Sequence, residues 1–258
     1  MDGLPVSLAD YGPAALSAVV VAAYLVVGEP VVGAVLHRRF EGRLRTDAGA
    51  RRSFYRRLLV LEWGLALLAL VIWLSAPGVD AAAVGLAWPD GWPGPVAGTL
   101  ALLVVVFVVA STRVLRGGAL VRPPVRVDGE GRHAELPVHA TLALLPRTRA
   151  ERRLFTVVGV TAGVCEEWLY RGFFLAVVAA VAGDLPAGVL VAVAAVAFGL
   201  AHAYQGVGGV VTTGVLGAVM AALYLDTGSL LLPVLLHALI DLRFLAVPAR
   251  ALPPMGAR

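Results

Sequence analysis

The stretch Gly163-Val164-Cys165-Glu166-Glu167-Trp168-Leu169-Tyr170-Arg171-Gly172-Phe173-Phe174 sets two adjacent carboxylates and an arginine inside an apolar run. That run, from about Leu154 to Ala182, otherwise reads as a membrane-spanning helix. Ionisable groups at such depth are costly and are normally buried against partners, along a functional path or in a site. On a helix, Glu167 and Arg171 share a face and can pair. Glu166 is rotated by about 100° from Glu167, out of easy reach of Arg171. The spacing predicts one carboxylate neutralised by arginine and one left free for chemistry, Glu166.

Composition sets the class around this helix. The chain of 258 residues is 59% hydrophobic and 15% charged, with a mean hydropathy of +0.85, unlike a soluble domain. Its apolar residues fall in blocks of membrane-spanning length, which predicts an all-α, polytopic helical membrane protein. All 21 basic residues are arginine, and they cluster between the apolar runs, so the net charge of +4 does not point to nucleic acid. A single cysteine, Cys165, excludes an internal disulfide and reads as a small packing residue.

Seven spans are expected, with room for an eighth, re-entrant or split, helix. The first covers about Ala14 to Leu36, where Glu29-Pro30 predicts a kink and Glu29 reads as facing a neighbouring helix or lying near a helix end. His37 to Arg57 carries eight arginines against Glu41 and Asp47 and reads as a cytoplasmic loop, or as an amphipathic helix on anionic headgroups. The second span, about Leu58 to Ala76, contains Glu62, with Trp63 and Trp73 as interfacial anchors. Pro77 to Pro95 has carboxylates and no arginine, as an outside loop should. The third span is about Val96 to Leu115. Arg116 to Arg153 is a second loop of eight arginines, with a strand or two within Val121 to Val138 and solvated His133 and His139. After the glutamate helix come spans at about Ala187 to Tyr204, up to Leu225, and Leu230 to Val247. This count puts the N-terminus outside and the C-terminus in the cytoplasm, at the plasma membrane, with both arginine loops inside.

Few polar residues interrupt the last four spans. His202 closes Phe198-Gly199-Leu200-Ala201-His202, and on its own it is as readily a structural histidine bonded to a carbonyl as a functional one. His237 and Asp241 share a face of the last helix and can hydrogen-bond. A free glutamate, a histidine and a His/Asp pair on three helices point to one shared site. Gly214 and Gly217 read as points of close helix contact.

These residues resemble a known family. Glu166-Glu167-Trp168-Leu169-Tyr170-Arg171 is similar to the EExxxR motif of the CAAX-processing and bacteriocin-processing (CPBP, or Abi) intramembrane proteases. Phe198 to His202 resembles that family's FxxxH motif, and His237 to Asp241 its HxxxN/D motif. Order and helix placement agree from about Leu154 to Val247. The resemblance divides the chain into N-terminal helices and arginine loops (1–153), a catalytic helical core (154–247) and a short tail (248–258).

The resemblance implies an intramembrane endopeptidase acting on a membrane-associated protein or peptide of CAAX type. Glu166 would be the general base, activating water with help from His202. His237 and Asp241 would stabilise the oxyanion, and Glu167, Arg171 and Phe198 would support the site. Asp241 departs from the asparagine of the prenyl-protein peptidases, and an ionised aspartate cannot donate to an oxyanion. It would instead orient His237, or join His202, His237 and Glu166 around zinc. A metal-free mechanism is the expectation, because there is no HExxH and the ligands come from separate helices. Membrane lipid and the substrate are the expected partners. Two rival readings remain: a catalytically silent immunity or scaffold protein, and a proton-coupled transporter. Retention of every candidate catalytic side chain argues against the first, and the lack of paired broken helices against the second.

Overall fold

The computed structural model describes residues 4–44, 46–89, 91–118 and 140–252. The expected strand, His133 and His139 lie outside them. Among the described residues the chain is helical and contains no strand. Among the described residues the longer helices are α1 (Leu8–Leu44), α2 (Ala50–Leu74), α3 (Pro95–Arg116), α4 (149–182), α5 (Ala187–Ala201), α6 (Gly206–Thr227) and α7 (Leu231–Leu242), with one short helix, Ala140–Leu144, before α4. Four helical stretches are long and apolar enough to cross a membrane: Leu8–Leu44, Ala50–Leu74, Pro95–Arg116 and Ala203–Thr227. They establish an integral membrane protein. α4 carries three charged residues mid-length, and α5 and α7 are shorter, so a count of seven crossings goes beyond what these four carry.

The arginine-rich segment from His37 to Arg57 is not a loop. α1 runs on through Leu44 and α2 starts at Ala50, so most of these residues lie on the ends of two long helices. The positive-inside pattern reports the side of a membrane and says nothing about backbone conformation. The longer α2 also moves Trp63 to mid-helix, where its Nε1 donates to Thr161 Oγ1 at 3.2 Å rather than anchoring an interface. Trp73 does sit near a helix end, its Nε1 donating to the Val79 carbonyl at 3.0 Å.

The two ends of the bundle differ in charge. Arg51 reaches Glu151, Arg152 bonds the Leu245 carbonyl, and Leu115 packs with Val247, so the arginine-bearing termini meet at one end. Every described arginine except Arg171 belongs to that end. The opposite end is closed by backbone and acidic side chains: Gly78 N–H donates to the Asp10 carbonyl, and Gly94 N–H to Asp226 Oδ2.

α1 contains a π-helical turn at Tyr24–Gly28, just before Pro30. Proline has no N–H to continue the ladder, and the widened turn absorbs the defect where a kink was expected. α4 begins at a capping box in which Thr148 accepts from the Glu151 amide and Glu151 accepts from the Thr148 amide. It continues through a second π-helical turn, Trp168–Phe174, and stops at Gly183, whose φ of 78° suits glycine. The main core joins both halves of the chain: Tyr11, Leu25 and Ala69 pack with Tyr170, Phe173 and Phe198.

Candidate active site

Close helix approach builds the site. α4 packs along α2 on one side and α7 on the other. A Cβ on Gly163 would meet the Val234 carbonyl and Ala238 at 3.0 Å, and one on Gly159 would meet Asp241 Cβ at 3.3 Å. These two glycines let α7 lie against α4 and bring His237 and Asp241 to Glu166. Gly214 and Gly217 serve α5 and α6 in the same way, with Cβ positions 3.3 Å from the Ala195 carbonyl and 3.1 Å from Phe198 Cβ.

Glu167 and Arg171 are wholly buried and paired, Nη1 to Oε1 at 3.0 Å. Arg171 Nη2 also donates to the Gly217 carbonyl at 3.1 Å, and its guanidinium lies 4.4 Å from the centre of the Phe198 ring. Phe198 thus backs the ion pair by cation–π attraction and stands edge-on to His237. Arg171 ties α4 to α5 and α6.

His237 and Asp241 are not hydrogen-bonded to each other: Nε2 and Oδ2 are 3.9 Å apart. His237 instead directs Nδ1 to Glu167 Oε1 at 2.6 Å. The expectation that Asp241 orients this ring is therefore corrected. The buried carboxylate from α4 outcompetes the half-exposed aspartate on α7, whose side chain keeps 32% exposure. His202 Nδ1 lies 2.9 Å from the Phe198 carbonyl, which can only accept, so Nδ1 carries the proton. In the neutral ring Nε2 is then a bare acceptor.

Both Nε2 atoms converge on one oxygen. Glu166 Oε2 lies 4.0 Å from His202 Nε2 and 3.8 Å from His237 Nε2, and it has no hydrogen-bond partner among the described residues. These spacings are too long for direct hydrogen bonds and suit a bridging water. Glu166 and Glu167 therefore divide as expected, one committed to arginine and one free. His202, His237 and Asp241 gather around the free one. Among the described residues no three His, Cys, Asp or Glu side chains are arranged to hold a metal ion.

The first three helices add polar groups that the sequence reading left outside the site. Glu29 accepts from the Tyr170 hydroxyl at 2.8 Å, so it does face a neighbouring helix. Glu62, half-buried on α2, has an orphan Oε2 among the described residues, on a helix that packs along α4. Nothing in the local pattern around Glu62 marks it; only its place in an apolar span did.

Fold and site together define a helical membrane protein with a buried glutamate–histidine centre. Residues 150–243 match the family model described as Type II CAAX prenyl endopeptidase Rce1-like. The match covers α4 to α7, well under half of the chain, and includes every residue of the three motifs; that part of the chain is similar to the CAAX-type endopeptidases. No curated protein matches the chain, and no solved structure does.

Proposed function

We propose that this protein is an intramembrane endopeptidase that cleaves a membrane-associated protein or peptide by attack of water activated at Glu166. The observation that carries this reading is the convergence of His202 Nε2 and His237 Nε2 on the otherwise unbonded Glu166 Oε2. A water in that space donates one hydrogen to Glu166 and the other to His202 Nε2, leaving a lone pair for the substrate carbonyl. Glu166 takes the proton as the water attacks and returns it to the leaving amine. His237 donates to the oxyanion when it is an imidazolium, with Nδ1–H on Glu167 and Nε2–H free. Two histidines and two carboxylates are donors that zinc accepts, but this reading routes no step through a metal.

A groove of about 430 Å³, lined only by apolar side chains including Val26, Phe174, Val189 and Val196, opens beside α5. It suits a lipid chain, either free or on the substrate. Seven crossings with the arginine-rich end in the cytoplasm are part of the same proposal. Reporter fusions within residues 53–57 should read inside and fusions near Gly85 outside, and the reverse result would overturn that orientation.

The experiment that tests the activity compares membrane-peptide termini between cells carrying the wild-type protein and cells carrying Glu166→Gln. Termini present only with the wild-type protein identify the substrate. Identical profiles from an expressed, folded wild-type protein would favour the silent immunity or scaffold reading.

A further inference from the structure

At the arginine-rich end, the start of α2 meets the start of α4 through Arg51, Arg147 and Glu151. Arg51 is only 6% exposed. Its Nε donates to the Ala143 carbonyl at 3.1 Å and its Nη1 to Glu151 Oε1 at 3.3 Å. Glu151 Oε2 accepts from the amides of Arg147 at 2.8 Å and Thr148 at 2.9 Å. Both oxygens of this carboxylate are committed, and one negative charge faces two guanidinium groups.

Three donors are left over. Arg51 Nη2, Arg147 Nε and Arg147 Nη2 are buried and have no acceptor among the described residues. A buried donor without a partner costs the full desolvation of the group, more when it is charged. Burial and the neighbouring Arg51 charge both push the Arg147 guanidinium below its usual pKa, and Glu151 only partly offsets them. Guanidinium forks match oxyanions bidentately, and the N-terminal end of α4 adds its positive dipole. Three donors on two guanidinium planes call for an anion with more than two acceptor oxygens.

We propose that Arg51 and Arg147 form a binding site for a phosphate group, carried by an anionic phospholipid headgroup or free in solution. The site lies at the end of the bundle that the charge bias assigns to the cytoplasmic surface, where anionic lipids are enriched. It does not depend on the proposed protease activity.

The test is thermal unfolding of the full chain in a neutral detergent. The additives are phosphatidylglycerol, phosphatidylcholine, or inorganic phosphate against chloride at matched ionic strength. Phosphatidylglycerol should raise the midpoint by about 5 °C near saturation, and phosphatidylcholine should not. Arg147→Gln should remove at least half of that rise, since its side chain gives up no hydrogen bond among the described residues. If that variant does not fold, Arg147→Lys, which keeps the charge but loses the fork, is read the same way. A rise with phosphatidylglycerol alone assigns the phosphate to lipid; a rise with inorganic phosphate as well assigns it to the free ion. The proposal is overturned by no rise with either additive, as when an acidic side chain of the chain itself fills the site. It is equally overturned by a rise undiminished in the Arg147 variant.

Discussion

Glu167 Oε1 stands 2.6 Å from His237 Nδ1, so the carboxylate that neutralises Arg171 also holds the second histidine of the site. Loss of either charge in this arrangement leaves the other buried and unpaired, which typically costs about 3–5 kcal/mol. Arg171→Ala should therefore lower the yield of folded protein as well as activity. Glu166→Gln keeps the shape of a side chain with no hydrogen bond at Oε2 to lose. It should leave yield nearly normal and cut turnover by at least about 100-fold, the usual scale for a general base. Size-exclusion profiles beside turnover check both, and equal misfolding of the two would give Glu166 a structural role.

Asp241 offers a second separation of roles. Because Glu167 already fixes His237, Asp241→Asn does not release the ring, and asparagine supplies the donor that an oxyanion needs. Turnover should stay within about tenfold of wild type or rise, since loss of a true oxyanion donor costs about 100–1000-fold. Wild-type turnover should also be insensitive to a strong chelator. Activity lost to the chelator and restored by zinc would make His202, His237, Asp241 and Glu166 the ligands to examine.

The division between Glu166 and Glu167 was legible because it is local: four residues on one helix decide which carboxylate meets Arg171. The clustering of His202, His237 and Asp241 was expected because few polar residues interrupt the last spans. The partner of His237 was not legible, because its neighbour on the same helix competes with Glu167, which is 70 residues away, and spacing cannot weigh burial. Glu29 and Glu62 were missed as site neighbours for a related reason. They reach the centre through contacts of α1 and α2 with α4, and no sequence period encodes which faces meet. The helical continuation through His37 to Leu44 was obscured by its arginines, which mark the membrane side and also tolerate helix well.

Gly163 should be intolerant of a side chain. Gly163→Val places carbons where the Val234 carbonyl and Ala238 stand at 3.0 Å, forcing α7 away from α4. Overpacking of this kind costs about 1–3 kcal/mol. The shift also withdraws His237 from Glu166, so activity should fall more than stability. A variant with lower thermal stability but unchanged turnover would show that α7 can move without disturbing the site.

Glu151 carries the pH dependence of the arginine-rich end. Burial opposes its charge, but the amides of Arg147 and Thr148 and the Arg51 guanidinium outweigh that, so its carboxyl is held below the usual value. A depressed folded pKa contributes stability above the unfolded value, about 4.3, and loses it as pH falls through the folded one. Unfolding midpoints from pH 7 down to 3 should show a loss below about pH 4.3 in the wild type that is smaller in Glu151→Gln. Parallel curves for the two proteins would remove Glu151 from that role.

The pairing of Glu167 with Arg171 inside a single helix also has a consequence for biogenesis. Both residues leave the ribosome about one turn apart, so their charges can cancel before the rest of the site is made. His237 follows 70 residues later, on α7. The pair is thus complete once α4 is made, whereas the cluster around Glu166 is finished only when α7 docks. A chain truncated before His237 would keep the Glu167–Arg171 pair but leave Glu166 facing one histidine instead of two.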